Sequence, residues 1–459
     1  MTGRLTHRIP MIFAVLMLAA HVVWPGAARA QEHGFVGMQV QGVNEELVEA
    51  LGLETVSGAL VRDISVGSPG EKAGFLRGDL ILAVGDREIE EFQDLLDAVV
   101  STRPGDARKF TVLRRGETLT LTVRVSGWPP ARQIQKEARG RYPVEGLSLA
   151  ALTNEVREEF AVRWGVVGVL ISALDPGKPA QLAGLEEGDV IVMANGHDVW
   201  RPEQVDAAFR DARKRGIEQM LMLVENRSGF RFVLMPGGDV AEDEAYADGP
   251  GRIGLKMQTI DDAMGKALLL RGQQGVVVTD IVLGSGAAKG GFLRGDIITT
   301  VNGTAVASVA EVFRSIENER ANSRVEVRVL RGDRRQTLKP RVEPEEQAWY
   351  WQPEAKAHFR AVGLSLATLS GEVRRSYGLR WGMTGLAITA IDEDSPTVDA
   401  GLSPGDVVLQ INQVPVTTPE QFQAELKKAI DAGRKNVLVL VETRSGYEPR
   451  VLPVNEKET

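Results

Sequence analysis

The chain contains no cysteine, and only 5 of its 459 residues are histidine. Without thiols no disulfide can staple the fold and no thiolate can hold zinc, so each domain must stand on its own apolar core. Aromatic residues are scarce at 5%, and no run of Lys and Arg forms a basic block. The formal net charge is −8, becoming −11 once Arg4, Arg8 and Arg29 are removed with a leader. An acidic chain without a basic patch suits neither nucleic acid nor an anionic membrane surface.

The apolar run Met11 to Val23 is too short for a comfortable membrane span. Arg4, His7 and Arg8 precede it, Trp24-Pro25-Gly26 breaks it, and Ala28-Arg29-Ala30 follows. That order predicts a secretory signal over residues 1–30, and no membrane attachment after its removal.

What is present is repetition. Glu71-Lys72-Ala73-Gly74-Phe75-Leu76-Arg77-Gly78-Asp79-Leu80-Ile81 returns as Ala288-Lys289-Gly290-Gly291-Phe292-Leu293-Arg294-Gly295-Asp296-Ile297-Ile298. Looser copies surround Gly184-Leu185 and Gly401-Leu402. Gly74 and Gly184 are 110 residues apart, as are Gly291 and Gly401, while both pairs are offset by 217. The chain is therefore a duplicated pair, A-B-A′-B′. Four units follow, at 34–126, 144–236, 251–343 and 361–453.

Each unit opens with a short apolar segment and continues into a stretch of helical tendency (Glu45 to Leu51; Thr153 to Phe160; Asp261 to Leu270; Leu369 to Tyr377). A β-branched run comes next. Ser68-Pro69 and Ser395-Pro396 predict a capped helix start, and Gly74, Gly184, Gly291 and Gly401 its left-handed stop. Asn195-Gly196 and Asn302-Gly303 predict tight hairpin turns, with Gly85-Asp86 and Asn412-Gln413 in the same place. An amphipathic helix follows (Phe92 to Val100; Pro202 to Arg213; Val309 to Ile316; Pro419 to Ile430), with Leu95, Val205, Val312 and Phe422 facing the core. Two alternating strands close the unit. The fold class is α+β, mainly β: a small five- to six-stranded antiparallel barrel or sandwich with two helices. The connectors Ala131 to Arg141 and Glu345 to Phe359 are charged, contain possible helix formers, and read as semi-rigid. Gly237 to Gly249 is acidic and reads as a flexible linker.

The order apolar-Gly-apolar, Ser-Pro-x-x-x-Ala-Gly, Gly-Asp-x-Ile and Asn-Gly resembles the PDZ domain in its circularly permuted bacterial arrangement. The A units resemble the first PDZ domain of the Do-type (high-temperature-requirement) periplasmic serine proteases. The B units, with Gly146-Leu147-Ser148-Leu149 and Gly363-Leu364-Ser365-Leu366, resemble the second. The resemblance covers nearly all of the chain after the leader. It implies a periplasmic location, and that a protease domain of this family would precede such a pair; the expectation here is that it does not.

A hydrolytic triad needs a nucleophile, a histidine and an orienting acid. His33, His197 and His358 occupy no repeated position, and no Gly-x-Ser-x-Gly motif accompanies them. No His-Glu-x-x-His motif is present, so no metal and no cofactor are expected. Gly284 to Gly291 resembles a phosphate loop but lacks the Gly-Lys-Ser/Thr ending. Asp79, Asp189, Asp296 and Asp406 read as turn-fixing residues. Catalysis is not expected.

The PDZ mode of binding adds an extended peptide to a sheet edge and receives its carboxylate on backbone N–H groups. The candidate loops are Phe35-Val36-Gly37-Met38, Glu145-Gly146-Leu147, Ile253-Gly254-Leu255 and Val362-Gly363-Leu364. The expected partners are apolar C-termini or extended, unfolded polypeptide. An adaptor or regulator of a separate Do-type protease in envelope quality control is the alternative. A self-assembling structural protein and a protease of unrecognised type are the others.

Overall fold

The computed structural model describes residues 33–53, 55–133, 138–239, 252–270, 272–332, 334–344 and 354–455. The leader expected at 1–30 and most of the acidic linker lie outside these.

Four antiparallel sheets succeed one another along the chain, each with its own apolar core. In the first unit the order runs from the entry strand Met38–Gly42 through Ala59–Ile64, Leu80–Val84 and Ala107–Arg114 to Glu117–Arg124. The third unit repeats this from Leu255–Thr259 to Arg334–Leu338. Their sheets have six strands, as expected, but those of the second and fourth have 8 and 7. Arg139–Tyr142 and the short strand Gly238–Asp239 add two strands to the second sheet, and Lys356–Phe359 adds one to the fourth. Arg139–Tyr142 and Lys356–Phe359 are strands, not helix, laid against the entry strands Leu147–Ala151 and Leu364–Thr368. Arg-Gly-Arg-Tyr carries a period of two that puts Gly140 and Tyr142 on one face, which suits a strand.

Local chemistry explains the elements. Ser68 Oγ accepts the Glu71 N–H ahead of Pro69, and Gly74, with φ of 88°, ends the helix Pro69–Ala73. Asn195-Gly196 and Asn302-Gly303 have positive φ at both residues, as a twisted hairpin turn requires. Asn412-Gln413 adopts the same turn. The stretch of helical tendency after the entry strand is a helix, Glu45–Leu51 in the first unit, capped by Asn44, so each unit has three helical segments where the fold class counted two. Leu95, Val205, Val312 and Phe422 are all buried at 3% exposure or less, fixing one face of each amphipathic helix to its core.

The four motif aspartates are structural. Asp79 accepts the Leu76 N–H at 2.8 Å and a two-pronged Arg114 contact at 2.7 Å. Asp296 does the same with Leu293 and Arg331. Asp189 holds the Glu186 N–H and Arg231, and Asp406 the Ser403 N–H. Removing an aspartate would leave a turn amide unpaired and its arginine partner unanswered.

Units pack crosswise. The first lies against the fourth, with helix Glu45–Leu51 on strand Asn436–Thr443, and the third lies against the second. Arg77 joins Asp63 at 2.7 Å and stacks 3.7 Å from the Tyr447 ring centroid. Its counterpart Arg294 joins Asp280 at 2.6 Å and stacks 3.8 Å from Phe230. Between these contacts Arg163 bridges Glu225 at 2.8 Å and Glu442 at 3.4 Å, while Arg380 also pairs with Glu442. Arg157 and Arg374 hold the loops that present Arg163 and Arg380 by bonding their carbonyls, and burial lowers both guanidinium groups to about 10.

Candidate peptide grooves

In each unit the opening loop, the entry strand and the amphipathic helix converge on one sheet edge. Glycine is required in the loop of the first unit. Gly37 has φ of 79°, and a Cβ there would overlap the Ser68 side chain. The carbonyl groups on either side are fixed, Val36 O by Gly70 N at 2.9 Å and Gly37 O by Ser65 N at 2.9 Å. The N–H groups of Val36 and Gly37 make no loop or turn bond among the described residues. Backbone N–H groups left in this way can receive an anion.

Beside the loop, strand Met38–Gly42 is the outermost of its sheet, so its edge carries no further strand among the described residues. Met38 and Val40 are half-buried against the core. Phe92, Leu96 and Val99 recur at i, i+4 and i+7 on helix Phe92–Val100 and are also half-buried. Strand and helix together leave an apolar cleft with an unpaired backbone edge. Phe35 and Val36, by contrast, are buried at 6% and 5% and belong to the core or its margin. Phe35 stacks on Trp128 at 5.1 Å between centroids. Asp94 and Asp97, which share Arg87, lie on another face of the helix from Phe92, Leu96 and Val99.

The third unit has the same loop, with Gly254 at φ of 78°. Its cleft is shut. Leu255, Met257, Val309 and Ile316 are exposed by 2% or less, and Thr259 Oγ1 accepts the Val309 N–H at 3.1 Å. Ile253 is buried at 1%. Arg252 caps the neighbouring helix end by donating to Glu317 O and Glu319 O.

The second and fourth units differ in kind. The Gly146 N–H donates to Tyr142 O at 2.8 Å, and the Gly363 N–H to Arg360 O at 3.1 Å. The connector strands pair with Leu147 and Leu364 and their neighbours. Glu145 is held by Arg213 at 2.8 Å. Val362 O accepts Thr397 Oγ1 at 2.6 Å. Glu145, Gly146, Leu147, Val362, Gly363 and Leu364 thus border an edge on which the chain's own connector strand pairs.

Three histidines were set aside from chemistry, and one sits in suggestive company. His358 Nδ1 is 3.2 Å from Ser365 Oγ, and its Nε2 is 3.3 Å from Asp392. The second unit places Arg141 at the same repeat position, 3.4 Å from Asp175. Arginine cannot act as a base. The shared feature is a nitrogen-bearing side chain beside an acid at the surface. Among the described residues no group of His, Asp or Glu could hold a metal ion. No described helix is long and apolar enough to cross a membrane. A cleft of about 400 Å³ lies elsewhere on the first unit, lined by Leu53, Leu80, Leu82, Ile89 and Leu113, and touches none of the loop residues.

Sequence reasoning missed Arg77 and Arg294. The signal was available: both A copies of the repeat carry arginine there, whereas the B copies carry Glu187 and Pro404.

Comparison with known proteins gives this geometry a family. Two models described as PDZ domain match, one over residues 34–125 and 251–342, the other over 170–215 and 387–442. A probable periplasmic serine endoprotease DegP-like of Rhizobium meliloti is 32% identical over 210 residues, 44% of this chain and 40% of that protein. One of Chlamydia trachomatis is 28% identical over 202 residues, 44% of this chain and 39% of that protein. The chain thus spans about two fifths of the length of these relatives and matches their PDZ-bearing part. Similar solved structures include the HtrA-type protease AlgW with decapeptide, 34% identical over 21% of this chain and 30% of that one, TM-score 0.20. The HtrA3 PDZ domain bound to a phage-derived ligand is 25% identical over 20% of this chain and 85% of that one, TM-score 0.18. No protease family model matches beside them. The chain belongs to the PDZ-domain family, as a tandem array related to the PDZ domains of DegP-like proteins.

Proposed function

We propose that this chain is a non-enzymatic, periplasmic capture protein that binds apolar C-terminal or extended segments of other proteins by strand addition, and that the first unit is its working site. The observation that carries this reading is the unpaired edge of Met38–Gly42, beside a half-exposed apolar helix face and the unengaged N–H groups of Val36 and Gly37. A peptide strand would bond the edge, its last side chain would enter between Met38 and Val99, and its carboxylate would meet the loop. The third unit needs its cleft opened first, because Val309 and Leu255 are already in contact with the core. The periplasm is the compartment named for the relatives.

The test uses fluorescent peptides ending in apolar residues, each with a free and an amidated C-terminus. Amidation should weaken binding at least about tenfold, since a charge-assisted bond to backbone N–H is lost. Gly37→Val should abolish the preference, and Gly146→Val should leave it unchanged. Equal binding of both forms would replace carboxylate capture by internal strand addition. No binding of either would sink capture and favour docking on a partner protease.

A further inference from the structure

The connector strands of the second and fourth units occupy the position of a ligand. Arg139–Tyr142 runs antiparallel to Leu147–Ala151, with Tyr142 opposite Leu147 and Arg139 opposite Ala150. Lys356–Phe359 repeats this on Leu364–Thr368, with Phe359 opposite Leu364. Both strands also touch the amphipathic helix of their unit. Tyr142 Oη donates to Pro202 O at 2.9 Å, and the Phe359 ring lies 4.8 Å from that of Phe422. Strand, helix and loop therefore enclose these segments as they would enclose an added peptide. The Tyr142 carbonyl even takes the Gly146 N–H, at the point where a chain-terminal carboxylate would be received.

Arg-Gly-Arg-Tyr and Lys-Ala-His-Phe share no residue, yet they share a chemical order: base, small, base, aromatic. Each position has a physical cause. The aromatic ring fills the slot beside the helix. The residue two back lies on the same face, beneath the ring, where a Cβ on Gly140 would stand 2.8 Å from Tyr142 Cε2. The base between them points the other way and meets an acid at one repeat position, Arg141 to Asp175 at 3.4 Å and His358 to Asp392 at 3.3 Å. The outer base Arg139 reaches Glu159 at 3.5 Å. Two segments without a shared residue thus keep one order of chemistry against the same edge.

We propose that the second and fourth units are peptide sites holding the chain's own connectors as tethered ligands, and that their external ligand is an extended polypeptide segment of the class base–small–base–aromatic. This does not depend on whether the first unit binds peptide. A strand tethered by a short link competes at an effective concentration on the order of 1 mM. For a segment of intrinsic Kd of about 10 µM, the resident strand loosens apparent affinity about a hundredfold.

The experiment measures binding of labelled Ala-Arg-Gly-Arg-Tyr, with a free carboxyl, to the full chain in a Gly37→Val background, so that the first unit contributes nothing. Tyr142→Ser removes the aromatic anchor of the resident strand. The folded variant, checked by circular dichroism, should bind the peptide about a hundredfold tighter than its parent, and Asp175→Lys added to it should reverse the gain. Arg141→Glu is an alternative at a side chain 72% exposed, which unseats the connector by repulsion from Asp175 without disturbing the core. It should give a gain of about tenfold, from loss of one charge pair and gain of a like-charge contact. Equal affinity of parent and variants would overturn the proposal. So would failure of the folded variants to bind, or indifference to Asp175→Lys.

Discussion

Arg77→Met tests whether the crosswise packing is held by the repeat motif itself. Arg77 and Asp63 are exposed by 15% and 9%, so the pair is largely out of water. Removing one partner of a buried pair costs about 3–5 kcal/mol, because the remaining charge is uncompensated. Loss of a desolvated cation–π contact, here with Tyr447 of the fourth unit, adds about 1–2 kcal/mol. Methionine retains much of the apolar volume, and Asp63 keeps the Ile64 N–H at 2.8 Å, which places the expected loss near the lower end, about 3 kcal/mol. Arg77→Met with Asp63→Asn removes both charges and should recover about 2 kcal/mol of that loss. Urea denaturation followed by hydrogen exchange and mass spectrometry reads the first and fourth units separately from the other two. Arg294→Met supplies the mirror experiment, shifting the second and third units instead. A double variant as unstable as the single one would refute the reasoning. Loss spread evenly over all four units would refute it too.

Two further outcomes follow from the buried groups. Burial alone would raise the Glu442 carboxyl, but Arg380 and Arg163 beside it hold it below the usual carboxylate range. A depressed carboxyl stabilises the fold above its unfolded pKa of about 4.3, and that contribution is lost as pH falls through the folded value. Melting curves from pH 7 to pH 3 should therefore fall steeply below about pH 4.3, and Glu442→Gln should start lower and fall less; parallel curves would contradict this. Gly286 and Gly284 separate contact from backbone strain in the third unit. A Cβ on Gly286 would overlap the Arg341 carbonyl oxygen, so Gly286→Ala should cost about 3 kcal/mol by forced backbone movement. Gly284 has φ of 77° with open space around it, so Gly284→Ala should cost only about 1–2 kcal/mol, from the left-handed conformation. Thermal melts of the two variants would reject this if their order reversed.

Most of the single-unit fold was legible because it is written in local chemistry. Glu45–Leu51 and Phe92–Val100 lie where capping and periodicity place them, and the turn glycines have the left-handed angles their positions demand. The connectors were not legible as strands. Four residues such as Arg139–Tyr142 carry too little period to outweigh their charge, and their strand form comes from the open edge of Leu147–Ala151 beside them. The candidate loops looked alike in sequence because the glycine is common to all four. What distinguishes them is occupancy of the edge and burial of Leu255, Met257 and Val309 against Met38, Val40 and Phe92, which depend on packing beyond the motif.

The two crosswise contacts share an apolar centre and differ at its margin. On the first and fourth units Leu47, Ala50 and Leu60 meet Leu438 in an apolar cluster, and polar contacts border it: Gln413 Nε2 donates to Gly78 O at 2.6 Å, Gln410 Nε2 to Arg77 O at 3.0 Å, and the Arg115 N–H reaches Gln413 Oε1 at 2.6 Å. At the equivalent place on the second and third units Met193 stands for Gln410, and Leu221, Leu223, Phe230 and Phe232 meet Met264, Ala267, Val277 and Ile297 in one apolar cluster. A first unit set on the second unit's apolar face would leave the carbonyl groups of Arg77 and Gly78 without donors, at about 1–3 kcal/mol each. A third unit on the fourth would bury Gln410 and Gln413 against Ile297 and its neighbours, with the same penalty. That penalty disfavours exchange of partners between the two halves of the chain. Between the two contacts, Arg163 on Glu225 and Glu442, with Arg380 also on Glu442, joins the second unit to the fourth.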